Sequence, residues 1–265
     1  MTMITSQTVG QLFRLDGKVA LVPGGYGGIG EAVCRGLAAA GAQVIVAGRK
    51  LDRGQALAES LISEGYDAYA ASFDAYQVSD IRRMVDDAAV HFGRLDILVN
   101  CIGMNREEKL LDITEENWDA VQDANLKSAL FLAQAAAKHM IQSGKGGKQV
   151  HLGSVRTLLG LRGRGYAAYC AAKGGLGTMG KQLAAELAPH GINVNIVAPT
   201  FVRTEQVAAM LNDPDFYSAL TARIPLGRVA EPEEVMHAVL FLVSPASAFI
   251  TGQTLYLDGG ITATQ

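Results

Sequence analysis

Short, mostly apolar runs alternate with longer amphipathic stretches along almost the whole chain. The runs at 18–23 (KVALVP), 43–47 (QVIVA), 68–73, 95–100 (LDILVN), 149–153, 192–198 (INVNIVA) and 254–257 read as strands. The stretches at 29–40, 51–63, 78–92, 114–125, 129–142, 169–187 and 232–242 space their apolar residues for helices. Thr114, ahead of Glu115-Glu116-Asn117, fits the N-cap of the fourth of these. Strands that are apolar on both faces and alternate with helices predict a parallel sheet covered on both sides. With right-handed crossovers this is an open doubly wound α/β sheet or a closed barrel. The interval 200–228 is polar and weakly patterned, and reads as a mobile substrate lid. No repeat or linker-like break interrupts residues 1–265, which read as a single domain.

Composition narrows the class. Apolar residues make up 49% and charged residues 18%, which excludes a disordered chain. The net charge of −3, with scattered lysines and arginines, offers no basic block to nucleic acid or an anionic membrane. Cys34, Cys101 and Cys170 are odd in number and form no CxxC or Cys/His cluster, so neither a disulfide framework nor a metal site is expected. The opening residues Met1-Thr2-Met3-Ile4-Thr5-Ser6 lack the basic and apolar regions of a secretory leader. No run of 18 apolar residues occurs, and a cytoplasmic location is expected.

The first strand runs into Gly24-Gly25-Tyr26-Gly27-Gly28-Ile29-Gly30 and then a helix. Glycines at 24, 28 and 30 let backbone N–H groups approach a pyrophosphate, and the helix N-terminus favours the anion. This placement argues for a dinucleotide and against the barrel. The second strand ends Ala47-Gly48-Arg49-Lys50, without the acidic residue that accepts a ribose 2′-hydroxyl. Arg49 offers a fork of donors to a 2′-phosphate, which favours NADP(H) and leaves NAD(H) possible; alternatively it is an ordinary solvated charge. Asp74, after the third strand, is either an acceptor for the adenine amino group or a turn residue.

Tyr169 is followed four residues on by Lys173, one helical turn away. A free tyrosine titrates near ~10, too high for proton exchange at neutral pH. A fixed ammonium beside it is expected to favour the phenolate. Ser154, fifteen residues upstream at the end of the fifth strand, is placed to hold a substrate oxygen.

Together these residues resemble the short-chain dehydrogenase/reductase family. The likeness runs from about residue 15 to 260 through Gly24-x-x-x-Gly28-x-Gly30, Asp74, Asn100-Cys-Ile-Gly103, Asn125, Ser154, Tyr169-x-x-x-Lys173, Pro199-Thr200, Val202-Arg203-Thr204 and the ending Asp258-Gly259-Gly260. It implies a Rossmann sheet of about seven parallel strands and an Asn125–Ser154–Tyr169–Lys173 tetrad. In that tetrad Tyr169 is the general acid/base, Ser154 orients the substrate, and Lys173 lowers the tyrosine pKa and holds the nicotinamide ribose. Asn125 would anchor a water that passes protons to Lys173. The implied cofactor contacts are Gly24, Tyr26, Gly28, Ile29, Gly30, Arg49, Asp74, Ala75, Asn100, Gly103, Tyr169, Lys173, Pro199, Thr200, Val202 and Thr204. A homotetramer through the helices carrying Asn125 and Tyr169 is also implied.

Several positions depart from the family pattern. Pro23 stands in place of threonine, Cys101-Ile102 in place of Asn-Ala, and Thr200 in place of glycine. Gly27 occupies a position that is basic in many NADP-using members, and Ser154 and Tyr169 lie about two residues further apart than usual. The intervening loop carries Arg156, Arg162 and Arg164, and Arg203 follows in the lid. Arg156, Arg164 and Arg203 are candidates for an anionic or polyhydroxyl substrate. The likeness is greatest to members acting on sugar acids and polyols, such as gluconate 5-dehydrogenases. The alternatives are a 3-oxoacyl-thioester reductase and, with less to support it, a nicotinamide-binding protein without chemistry. His151, on the fifth strand, reads as a structural residue.

Overall fold

In a computed structural model that describes residues 6–264, seven parallel strands form one sheet in the order β3-β2-β1-β4-β5-β6-β7. The strands are β1 (Val19–Pro23), β2 (Gln43–Gly48), β3 (Ala68–Ser72), β4 (Ile97–Asn100), β5 (Gly147–Leu152), β6 (Ile192–Pro199) and β7 (Thr254–Leu257). Strands β3 and β7 are free edges, so the sheet is open rather than a barrel. The chain winds outward from β1 to β3, then returns to β4 on the other side of β1. That reversal opens a crevice at the carboxyl ends of β1 and β4, where doubly wound sheets bind ligands.

The helices are α1 (Ser6–Gln11), α2 (Gly28–Ala39), α3 (Leu51–Ser63), α4 (Val78–His91), α5 (Glu115–Gln122), α6 (Ser128–Ser143), α7 (Ala167–Leu187), α8 (Glu205–Leu211), α9 (Pro214–Thr221), α10 (Pro232–Val243) and α11 (Ile261–Thr264). Helices α2 and α10 bury Val33, Leu37, Val235 and Val239 on one side of the sheet. Helices α4 and α6 bury Ile81, Met84, Leu132 and Met140 on the other. Truncating one of these fully buried side chains to alanine costs about 2–5 kcal/mol. Local signals set the boundaries. Thr114 accepts from the Asn117 N–H at the start of α5, as expected of an N-cap. Helix α10 begins with a Glu231/Glu234 capping box and Pro232 in its first turn. Helix α6 stops at Gly144, whose φ of 66° is left-handed.

Two differences from the sequence reading matter for the site. The interval read as a mobile loop contains α8 and α9, which pack Leu211 and Leu220 with Ile224, Val229, Phe201 and Phe216 into a small core of their own. Helices of two turns carry too little period to be seen, although Asp213 caps α9 through the N–H groups of Asp215 and Phe216. Between α5 and α6, residues Asp123–Lys127 form a π-helical turn, a rare insertion that concentrates at functional sites. Residues 1–5, where the leader was sought, lie outside the described residues. Among the described residues no helix is long and apolar enough to cross a membrane, and no cluster of His, Cys, Asp or Glu is suited to a metal.

Candidate active site

The glycine loop leaves β1 at Pro23 and turns through Gly24, whose φ is +79°. A Cβ on Gly30 would sit 2.0 Å from the Gly24 carbonyl oxygen, and one on Gly24 would sit 2.9 Å from the Cys101 carbonyl carbon. Backbone therefore packs on backbone, and the loop tolerates no side chain at either position. Gly27 and Gly28 are exposed, and Gly27 caps α2 with no side chain across its N–H groups. Those donors remain open to a pyrophosphate. Thr204 reaches this loop, since a Cβ on Gly28 would lie 2.7 Å from its methyl carbon. Ile29 and Val202 pack with the core beneath.

Tyr26 lies against the end of β2, and a Cβ on Gly48 would come within 2.4 Å of its ring. The Lys50 N–H donates to the Tyr26 hydroxyl at 2.7 Å, and the Arg53 guanidinium stands 5.5 Å from the ring centre. Arg49 is exposed and has no ion pair among the described residues. Arg53 also stands 4.0 Å from Glu205, so Arg49 is the guanidinium here that suits a 2′-phosphate, and the cradle suits the pyrophosphate of a dinucleotide. Arg53 was missed in the sequence, where nothing distinguishes it from a solvated charge on α3. Asp74 spends Oδ1 on the Tyr76 N–H at 3.0 Å, and its own N–H donates to Asp80. It is therefore a turn residue with one carboxylate oxygen to spare. Ala75, next to it, packs against the core.

Asn100 is buried, with Oδ1 accepting from Ile102 N–H at 3.1 Å and Nδ2 lying 3.4 Å from His151 Nδ1. Its side chain fastens the start of the loop that carries Gly103. Burial, reinforced by nearby Lys173, lowers His151 to about 4, and the imidazole is neutral.

Ser154 follows β5 in an extended conformation, and Tyr169 and Lys173 lie on α7. The Arg156 N–H donates to Ser154 Oγ at 3.2 Å, and Ser154 also hydrogen-bonds Tyr169. Lys173 is 2% exposed, and its Nζ donates to the Leu152 carbonyl at 2.7 Å while standing 5.6 Å from the Tyr169 ring centre. Burial lowers the ammonium to about 8 against an opposing effect of Cys101. Tyr169 corrects the expectation of an acidified phenol: burial raises it to about 12, and the hydrogen bond from Ser154 only partly offsets this. Lys173 Nζ points to the Leu152 carbonyl rather than to the phenol oxygen, and the groups that ease ionisation of the phenol are Ser154 and Arg156.

Asn125 sits in the π-helical turn and is fully engaged. Its Oδ1 accepts from Met104 N–H at 3.3 Å, and its Nδ2 donates to the Met104 and Val121 carbonyls, both at 2.8 Å. Gly103 separates it from Lys173: a Cβ there would lie 3.4 Å from both Asn125 Oδ1 and Lys173 Nζ.

Of the substrate arginines, two are already paired. Arg164 forks onto Glu107, with Nε 2.6 Å from Oε1, and Arg203 Nε lies 3.1 Å from Glu231. These ion pairs fasten the two loops to Glu107 and Glu231. Arg156 is buried and meets only carbonyls, those of Leu159 at 3.1 Å and of Gly160. Thr200 follows β6, which ends at Pro199, and its buried Oγ1 has no hydrogen-bond partner among the described residues. A cavity of about 540 Å³ opens beside it, between Pro225, Arg228, Tyr256 and Asp258, but does not reach Tyr169. Tyr256 also hydrogen-bonds Thr157 at 2.9 Å, pinning the substrate loop to β7, a link the sequence did not reveal.

An open parallel sheet with a glycine cradle at its first crossover, and Ser, Tyr and Lys converging beside it, defines a dinucleotide-dependent oxidoreductase of the Tyr-x-x-x-Lys kind. A family model described as enoyl-(acyl carrier protein) reductase matches residues 25–262. Gluconate 5-dehydrogenase of Gluconobacter oxydans (strain 621H) is 37% identical over 254 residues, covering 95% of this chain and 97% of the relative. The 3-oxoacyl-(acyl-carrier-protein) reductase of Escherichia coli (strain K12) is 35% identical over 248 residues, covering 94% and 98%. A crystal structure of a gluconate 5-dehydrogenase from Burkholderia cenocepacia J2315, in complex with NADP and tartrate, superposes with a TM-score of 0.93 at 36% identity, covering 97% of this chain and 100% of that one. The chain belongs to the short-chain dehydrogenase/reductase family.

Proposed function

We propose that the protein interconverts a secondary alcohol and a ketone with NADP(H), in preference to NAD(H), on a polar or anionic substrate such as a sugar acid or polyol. The observation that carries this reading is the hydrogen-bonded Ser154–Tyr169 pair, which stands over the buried Lys173. A bound nicotinamide supplies the hydride acceptor or donor at carbon. In oxidation the substrate hydroxyl passes its proton to the Tyr169 oxygen as the carbonyl forms; in reduction the phenol returns it. Ser154, with Oγ steadied by the Arg156 N–H, holds the reacting oxygen. Lys173 contributes positive charge and a donor for the ribose, and Gly103 keeps a side chain from coming between it and Asn125.

Arg49, in no ion pair among the described residues, and the strand end Gly48-Arg49-Lys50 without an acidic residue favour NADP(H). The Gluconobacter and Burkholderia relatives support a sugar acid. The segment 200–228 acts as the lid of a single domain, with Thr204 against the glycine loop. Turnover of a panel of sugar acids and polyols with each cofactor, lost in Tyr169→Phe, tests the reading.

Reduction of a 3-oxoacyl thioester is a second reading. It is favoured by Leu110, Leu111, Leu158 and Leu226, which stand exposed on the surrounding loops, and acetoacetyl-thioester reduction is its assay. Trp118 and Leu130, exposed on α5 and α6, support a homotetramer, which light scattering measures. The three unpaired thiols accord with the cytoplasm.

A further inference from the structure

Arg156 is a buried cation without a counter-anion. It is 6% exposed, yet it takes part in no ion pair among the described residues. Its Nη1 donates to the carbonyls of Leu159 and Gly160, the far end of its own loop. Its Nε and Nη2 have no hydrogen-bond partner among the described residues. They are not sealed atoms either, since the buried unpartnered side-chain atoms are Asn105 Oδ1, Gln149 Oε1, His151 Nε2 and Thr200 Oγ1. The ionisable groups facing the guanidinium are Tyr166, Tyr169, Cys170 and Arg223, none of them an anion at neutral pH. Burial and the like charge of Arg223 both push Arg156 below its ordinary pKa, though a guanidinium still keeps its proton. A charge held away from water without a partner is costly unless a ligand completes it.

We infer that Arg156 receives a carboxylate of the substrate and makes the site selective for sugar acids over the corresponding neutral polyols. The guanidinium edge left open offers two parallel donors, the geometry a carboxylate fits best. Arg156 is also two residues from Ser154, whose Oγ accepts from its backbone N–H, and its guanidinium faces Tyr169, so an anion held there lies near the reacting oxygen. Arg164 and Arg203 cannot substitute, since Glu107 and Glu231 already neutralise them. The assignment rests on the alcohol–ketone reading of the same site.

The test uses D-gluconate and D-glucitol, which share a polyol chain and differ in the carboxylate, with wild type, Arg156→Gln and Arg156→Lys. Turnover is measured with NADP, and binding independently by the thermal shift of NADP-loaded protein. In wild type, gluconate is preferred. Arg156→Gln is expected to lower kcat/KM for gluconate by about 10- to 150-fold, mostly in KM, from loss of the charge-assisted contact to the carboxylate. Glucitol should lose much less than gluconate, NADPH affinity should hold, and Arg156→Lys should recover part of the gluconate-specific loss. Equal losses on both substrates would mark Arg156 as a loop pin only and overturn the inference. So would wild type that turns over glucitol as well as gluconate, although the alcohol–ketone reading would then stand. Gluconate that binds in an Arg156-dependent way without being turned over would uphold the anion site and overturn the reaction. Gluconate that neither binds nor turns over would overturn the inference.

Discussion

Lys173 Nζ donates to the carbonyl of Leu152 at 2.7 Å, two residues before Ser154. The end of β5 therefore anchors the buried ammonium and presents the Ser154 hydroxyl. This arrangement keeps the charge behind the tyrosine rather than on its oxygen, and accounts for a phenol that burial holds near 12. The sequence spacing predicted contact between the two residues but not this competition for the ammonium. Acidification of the phenol would then need added positive charge near its oxygen, which an oxidised nicotinamide would supply.

The buried ammonium also links stability to pH. Lys173 falls from an ordinary 10.5 to about 8 on folding, so the unfolded chain binds more protons between those values. Its contribution to stability is present above 10.5 and lost as pH falls through about 8. Relative to Lys173→Met, wild type should gain stability as pH rises from about 8 to 10.5. Denaturant midpoints of both proteins across that window check the sign, and a constant or shrinking difference counts against a buried charged lysine.

Gly30→Ala places a methyl group 2.0 Å from the Gly24 carbonyl, where only backbone can move. We expect a stability loss of about 1–3 kcal/mol from overpacking. NADPH affinity should fall at least tenfold, because the displaced loop is the phosphate cradle. Fluorescence titration reads the second effect, and unchanged affinity would mean that the cradle lies elsewhere.

Arg49→Gln removes an exposed guanidinium that has no other partner. The KM for NADP should rise by about 10- to 100-fold and that for NAD by little, the signature of a charge-assisted contact to the 2′-phosphate alone. Equal changes for both cofactors would assign the 2′-phosphate to another group, Arg53 first among them.

Much of this was legible in the sequence, for identifiable reasons. Residues 51–63 and 254–257 were bounded as observed, because strong patterning and turn residues flank them. The glycine loop was legible because steric exclusion of Cβ leaves a mark in residue type. Pairings across long separations were not. Arg164 and Glu107 are 57 residues apart, and Arg203 and Glu231 are 28 apart, so neither guanidinium showed that it was already satisfied. The π-helical turn at Asn125 leaves no periodic trace, since it is fixed by hydrogen bonds to Met104 on another segment. Helices α8 and α9 were missed because two turns are too short to display a face, although Asp213-Pro214 is a legible start.

The central claim is that Tyr169 carries the proton, and the pH dependence of kcat/KM in wild type and Tyr169→Phe tests it most directly. A phenol protonated at neutral pH is ready for ketone reduction and must ionise for alcohol oxidation. Wild-type oxidation should therefore climb by up to about tenfold per pH unit from neutrality until the phenol of the ternary complex ionises, while reduction stays flat and then falls. Tyr169→Phe should lose about 10²- to 10⁴-fold in both directions and its oxidation should lose that slope, with NADPH binding intact. A phenylalanine variant that keeps wild-type turnover, or keeps the same rising limb, would contradict the account.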